Sequence, residues 1–317
     1  MFSGAVSAAS GLMRDAVKAS VELFKVMIPI IILVKILQEL GVVDYLAAPL
    51  GPAMELLGLP AAMGLAWATA MLSNIYSGLI VFQALAAGSA PLTQAQVTVL
   101  GVLMLIAHNL LVEGQVTKRC GVSFLGQNAL RVFGALGCAW ILHAIFTAGG
   151  FFTGPAVMLW MPPKPDATLL GWAAGEAKNL GYIFLIILTL MGLMRFLNAV
   201  GLTKLLEIIL TPFLKLMGIG PTAATVTVIG MTMGLTYGGG LIIHETRAGH
   251  IPPRDVFAAV SLMSLSHALI EDTMLLALIG TSPWGSLAGR LAFSLVVTAA
   301  LSRLAASRER RASGTAG

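Results

Sequence analysis

Residues 41–60 read GVVDYLAAPLGPAMELLGLP, and residues 201–220 read GLTKLLEIILTPFLKLMGIG. At an offset of 160, Gly41 meets Gly201, Pro52 meets Pro212 and Gly58 meets Gly218. Further along, VLMLIAHNL (102–110) falls on SLMSLSHAL (261–269) at an offset of 159. His108 then meets His267, and Glu113 meets Asp272. Between these stretches, MLSNIYSGLIVF (71–82) resembles MGLTYGGGLIIH (233–244). Matched Gly, Pro and His positions in one order predict an internal duplication.

Composition says what is duplicated. Of the 317 residues, 57% are hydrophobic and 10% are charged. Soluble proteins carry about 25% charge. The mean hydropathy is +0.91. Too little charge is present to cover a water-exposed surface of this size. This excludes a cytosolic enzyme, a nucleic-acid binder and a disordered chain, and it predicts an all-α polytopic membrane protein. The net charge of +5 is a topology signal. Two cysteines, Cys120 and Cys138, are too few for a disulfide framework or a zinc site. The first 20 residues lack a signal-peptide pattern and predict an amphipathic helix lying on the membrane, with Arg14, Asp15 and Lys18 on its wet side.

Each half holds the same parts: an apolar span (about 20–40 and 180–199), an amphipathic stretch (44–58 and 202–217) and a glycine-interrupted apolar segment (61–88 and 221–246). Two further segments follow, 94–113 with 255–273 and 128–150 with 286–304. The linker 151–167, with its MPPKPD run, divides repeat 1–150 from repeat 168–305, and 306–317 is a basic tail.

The interrupted segments matter most. Residues 61–88 carry no charged side chain, yet their middle reads Ser73-Asn74-Ile75-Tyr76-Ser77-Gly78. The partner reads Gly234-Leu235-Thr236-Tyr237-Gly238. Glycine costs roughly 1 kcal/mol in a helix interior, and Ser and Asn prefer caps. Each segment is therefore a broken span or a re-entrant hairpin. Two hairpins give six crossings and put fifteen of the 19 Lys/Arg inside, with only Lys35, Lys164, Lys178 and Arg290 outside. Eight crossings put eight outside, Arg131 and Arg195 among them. The hairpin reading is favoured. Three crossings per half make the two repeats inverted. Both termini then face the cytoplasm, in a bacterial inner membrane.

The spaced Pro52/Gly58 and Pro212/Gly218 pairs, the Gly/Ser-rich breaks, and His108 and His267 each leading into an acidic position together resemble the Gate, or nucleoside-recognition, domain. That domain occurs in spore maturation proteins A and B and in the membrane part of ferrous-iron transporters, with concentrative nucleoside transporters as distant relatives. The resemblance implies paired inverted repeats whose hairpin tips and broken helices surround a central solute site. The Gln-Thr-Glu string of nucleoside transporters is absent; Asn74, Tyr76 and Ser77 stand in its region.

Ionisable groups at membrane depth cost about 2.5–3.5 kcal/mol each and read as functional. The candidate solute-binding residues are Asn74, Tyr76, Ser77, His108, Asn109, Glu113, Thr236, Tyr237, His267, Glu271 and Asp272. Of these, His108, Glu113, His267 and Asp272 could also hold a metal ion. His267 and Glu271, four apart, should share a helix face. His108 and Glu113, five apart, can meet only if the helix breaks near Asn109 or Gly114. The inverted arrangement brings the two histidines towards each other. His244, Glu245, Arg247 and His250 mark a mouth or a solvated rim; His143 reads as structural.

No phosphate loop, nucleophile elbow or cofactor box is apparent, which argues against an enzyme and calls for no cofactor. The leading expectation is a secondary transporter of a small polar, nucleoside-like solute, coupled to a proton or cation carried by histidine and carboxylates. A divalent-cation permease and a non-transporting protein assisting envelope or spore maturation are the alternatives. The expected partners are the solute, the coupling ion, the lipid bilayer and, in a homo-oligomer, further copies of the chain.

Overall fold

The computed structural model describes residues 2–87, 90–160 and 168–314, with the side chains of residues 2–8, Thr236, Ala306 and 308–314 lying outside the description. The MPPKPD run also lies outside the described residues.

The described residues are largely helical, and the two halves run through similar, though not identical, successions of elements. The first half runs α1 (Phe2–Glu39), α2 (Val43–Ala47), α3 (Gly51–Leu56), α4 (Met63–Leu72), α5 (Ile75–Ala86), α6 (Gln94–Ile106), α7 (Leu110–Arg119) and α8 (Phe124–Gly149). The second runs α9 (Leu169–Ala199), α10 (Leu202–Leu216), α11 (Pro221–Met233), α12 (Leu235–Arg247), α13 (Pro253–Ser266), α14 (Glu271–Ala277) and α15 (Arg290–Gly314), the last preceded by a π-turn at Trp284–Gly289. Gly41 and Gly201 both adopt positive φ, as do Gly58 and Gly218.

Among the described residues, four helices are long and apolar enough to cross a membrane: Phe124–Gly149, Leu169–Ala199, Pro253–Ala277 taken through its break, and Trp284–Ala305. Two bent pairs, Ala9–Glu39 with Val43–Leu56 and Gln94–Ile106 with Leu110–Arg119, raise the number to six. Their outward faces carry exposed Leu33, Ile36, Ile141, Ile145 and Leu185. Leaving such side chains in water would forgo about 1.5–3 kcal/mol each, so lipid is their natural solvent.

The glycine-interrupted segments are hairpins. Helices α4 and α5 pack on each other, as do α11 and α12. At 1.5 Å per residue neither arm reaches the ~30 Å of a bilayer core. The first tip turns because Asn74 leaves helical geometry (φ −157°, ψ 170°) and caps α5, its Oδ1 accepting from Ser77 N at 2.9 Å. The second turns at Gly234, whose φ of 97° favours glycine.

Two expectations need correction. Residues 2–20 form no separate surface helix: they are the first half of α1, which continues unbroken to Glu39. Arg195 of α9 holds Asp15 at 2.5 Å, so a helix, rather than headgroups alone, covers part of that polar face. Arg131 and Arg290 are not loop charges that mark a side of the membrane. They are 1% and 0% exposed.

Candidate functional site

Helix α6 starts at a capping box formed by Thr93 and Gln96, and it ends at Ile106. Ala107 leaves the helix (φ −123°, ψ 75°) and Asn109 turns left-handed (φ 49°), so α7 leaves at 40°. Helix α13 ends at Ser266, His267 is extended, and Ala268 takes a left-handed φ of 44°. Asn109 and Ala268 are 159 apart, the offset of the two histidines. Each break is pinned to its hairpin: Asn109 N donates to Ala70 O and Leu269 N to Met231 O, both at 2.8 Å.

A break frees backbone carbonyls, and carbonyls at membrane depth need donors. Arginine supplies them through a rigid fork. Arg131 donates from Nε to Ile106 O at 2.8 Å and from Nη2 to His108 O at 2.7 Å. Arg290 donates from Nε to Leu265 O and from Nη2 to His267 O, both at 2.8 Å. These clamps went unread in the sequence. The signal was there: Arg131 and Arg290 are also 159 apart.

The breaks bring His108 and His267 together, their Nε2 atoms 3.3 Å apart. Each Nδ1 faces a carbonyl, Met104 O at 2.8 Å and Met263 O at 2.9 Å. A carbonyl only accepts, so each Nδ1 carries the hydrogen. In two neutral rings, both Nε2 atoms are then lone pairs pointing at one another. Glu113 closes the cluster. Its Oε2 lies 3.4 Å from His267 Nε2 and its Oε1 3.7 Å from His108 Nε2. Arg131 Nη1 donates to Glu113 Oε2 at 2.5 Å. One ligand atom from each of His108, Glu113 and His267 lies within 4.8 Å of the others, and all three residues are buried.

The α6 break is what lets His108 meet Glu113. The corresponding expectation for His267 and Glu271 needs correction, because the α13 break separates them and they share no regular helix face. Asp272 reaches the cluster instead, its Oδ2 3.9 Å from His108 Nε2. Tyr76 stands within electrostatic reach of Glu271 and Asp272. Asn74 and Ser77 spend polar groups on the hairpin cap, with Ser77 Oγ donating to Asn74 Oδ1 at 3.2 Å. Tyr237 is half exposed, unlike the more enclosed Tyr76. The side chain of Thr236 lies outside the described residues.

Elsewhere, Glu245 binds His250 at 2.8 Å on an exposed rim. The His143 ring fills the space that a Cβ on Gly58 would need. Cys120 and Cys138 are free and buried. A cavity of about 900 Å³ opens between α8, α13 and α15, lined largely by apolar groups such as Phe133, Phe257 and Phe293. None of the candidate residues lines it.

Residues 20–121 match the Gate family model, described as nucleoside recognition. The chain is also similar to the uncharacterized membrane protein YvoD of Bacillus subtilis (strain 168), at 28% identity over 280 residues, 87% of this chain and 88% of that protein. No solved structure matches significantly. The break bearing His108, Asn109 and Glu113 lies inside the segment, residues 20–121, that is similar to the Gate family.

Proposed function

We propose that the chain is a secondary transporter of a small polar, nucleoside-like solute in the bacterial cytoplasmic membrane. Repeats 1–150 and 168–305, joined by 151–167, are inverted, each with three spans and a re-entrant hairpin. Both termini and the tail 306–317 are cytoplasmic. The solute sits between hairpin tips and broken helices, and the His108–His267–Glu113 cluster carries the coupling cation.

The observation behind this reading is the facing pair of Nε2 atoms at 3.3 Å. Two lone pairs at that distance repel. A shared proton turns the contact into a hydrogen bond, and Glu113 supplies the countercharge. Each ring hangs from the last turn of its own broken helix through Met104 O or Met263 O. Gaining or losing the cation therefore acts on both breaks at once, which is the coupling a transporter needs.

A second reading makes a divalent cation the cargo. A tetrahedral ion with bonds of about 2.0–2.1 Å to nitrogen sets two nitrogens about 3.3–3.4 Å apart. That matches the histidine pair, and histidine with carboxylate suits first-row metals.

Thermal unfolding of the purified chain with nucleosides, nucleobases, Fe²⁺, Mn²⁺ and Zn²⁺ separates the readings. A ligand at 100 times its Kd adds about 2.7 kcal/mol. A nucleoside shift supports the solute transporter. A metal shift lost in His108→Ala and His267→Ala favours the permease. If no ligand shifts the unfolding and the double histidine variant keeps the cellular phenotype, transport is the wrong reading and an accessory membrane role replaces it.

A further inference from the structure

The two arginine clamps are equivalent in all but one bond. Arg131 donates to two break carbonyls and to Glu113. Arg290 donates to the two corresponding carbonyls, and its Nη1 has no hydrogen-bond partner among the described groups. The residue placed to supply that partner is Asp272, which stands 159 after Glu113. Its Oδ2 also lacks a hydrogen-bond partner among the described residues. Of the charges around Arg290, that of Asp272 acts most strongly. Aspartate is one methylene shorter than glutamate, so the carboxylate that closes the first clamp falls short in the second.

Leaving a buried donor and a buried acceptor unpaired inside a protein is expensive, and each such group calls for a partner that the fold itself does not supply. Both unpartnered atoms are buried, and the Asp272 side chain as a whole keeps 13% of its surface open. Tyr76 and Glu271 stand close by and are also only partly buried.

We infer that Arg290 Nη1 and Asp272 Oδ2 form the polar subsite for the solute, taking a neutral edge that presents an acceptor beside a donor. Arg290 donates to the acceptor, and Asp272 accepts from the donor. A lactam edge, O=C–N–H, such as that of uracil or hypoxanthine, meets both demands. A carboxylate or phosphate meets only the first, because it brings no donor for Asp272 Oδ2. The inference rests on the nucleoside-like reading above and assigns it a recognition point that adjoins the histidine cluster, Asp272 Oδ2 lying 3.9 Å from His108 Nε2.

The test measures binding of uridine, inosine and 3-methyluridine to the full-length purified chain, together with the Tm of the chain alone. In Asp272→Glu the longer side chain reaches Arg290 as Glu113 reaches Arg131. This variant should show a higher Tm without ligand and at least about tenfold weaker nucleoside binding. Asp272→Asn keeps the side-chain size, guards against a folding artefact, and should weaken binding without raising Tm. In the wild type, 3-methyluridine, which lacks the N3–H donor, should bind more weakly than uridine. If Asp272→Glu binds uridine or inosine as tightly as wild type, the subsite is wrong while the transporter reading stands. If Asp272→Glu fails to raise Tm, the unfilled clamp is wrong. If the wild type binds none of the three, the subsite and the nucleoside reading fall together.

Discussion

The two long helices that carry the clamps, α8 and α15, start alike and then diverge. Arg131 and Arg290 make the same pair of carbonyl bonds. Beyond them, the buried stripe of α8 continues through Ala135 and Ala139, while that of α15 continues through Ser294, Thr298 and Ser302. Ser294 returns its hydroxyl to Arg290 O at 2.7 Å, but the Thr298 and Ser302 hydroxyls have no hydrogen-bond partner among the described residues. The first clamp is closed by Glu113, while the second leaves unspent polar groups from Asp272 down α15; Gln127 Oε1 and Asn128 Oδ1, a turn before Arg131 on α8, also lack a partner among the described residues. The same pair of carbonyl bonds recurs in both halves, and side-chain differences close the clamp in one and leave it open in the other.

Substitutions can break this contrast. The largest effect belongs to Arg131→Ala, which leaves Glu113 buried without its partner and two break carbonyls bare. Losing one member of a buried ion pair costs about 3–5 kcal/mol. Arg290→Ala strands carbonyls alone and should cost less. Equal losses in thermal unfolding would show that the Glu113 bond adds nothing. The carboxylates sharpen the point: Glu113→Ala should cost at least about 3 kcal/mol. Asp272→Ala, removing a group with an unpaired oxygen, should stay within about 1 kcal/mol of wild type. A large loss there would place a hidden partner on Asp272.

Smaller effects probe the seam and the breaks. Thr298→Val deletes a partnerless buried hydroxyl at nearly constant volume and should raise stability by about 1 kcal/mol. A drop would mean that the hydroxyl is bonded after all. Ala268→Gly should gain up to about 1 kcal/mol, because left-handed geometry strains alanine. Asn109→Gly should change little, since asparagine tolerates that region. Matching responses at the two sites would show that one break has relaxed to ordinary geometry.

Much of the site was legible in spacing. The offset that carries His108 onto His267 also carries Glu113 onto Asp272, Asn109 onto Ala268 and Arg131 onto Arg290. The arginines hide because a basic residue near a span end reads first as a topology marker. The α13 break hides because SLMSLSHALIEDT continues a plausible helix, and Ala268 is no breaker by composition. The α6 break is better signposted, since asparagine readily turns left-handed.

The sequence by itself determined the solvent, the helical class, the succession of elements and the places where hairpins turn. These follow from composition and from local residue preferences, which act within a few positions along the chain. Tertiary structure alone decided that two imidazoles meet through Nε2, that Glu113 is held by arginine, and that Asp272 is left without one. Those outcomes depend on which backbone carbonyls a break exposes and on whether a side chain spans the last gap, and one methylene is enough to change the answer.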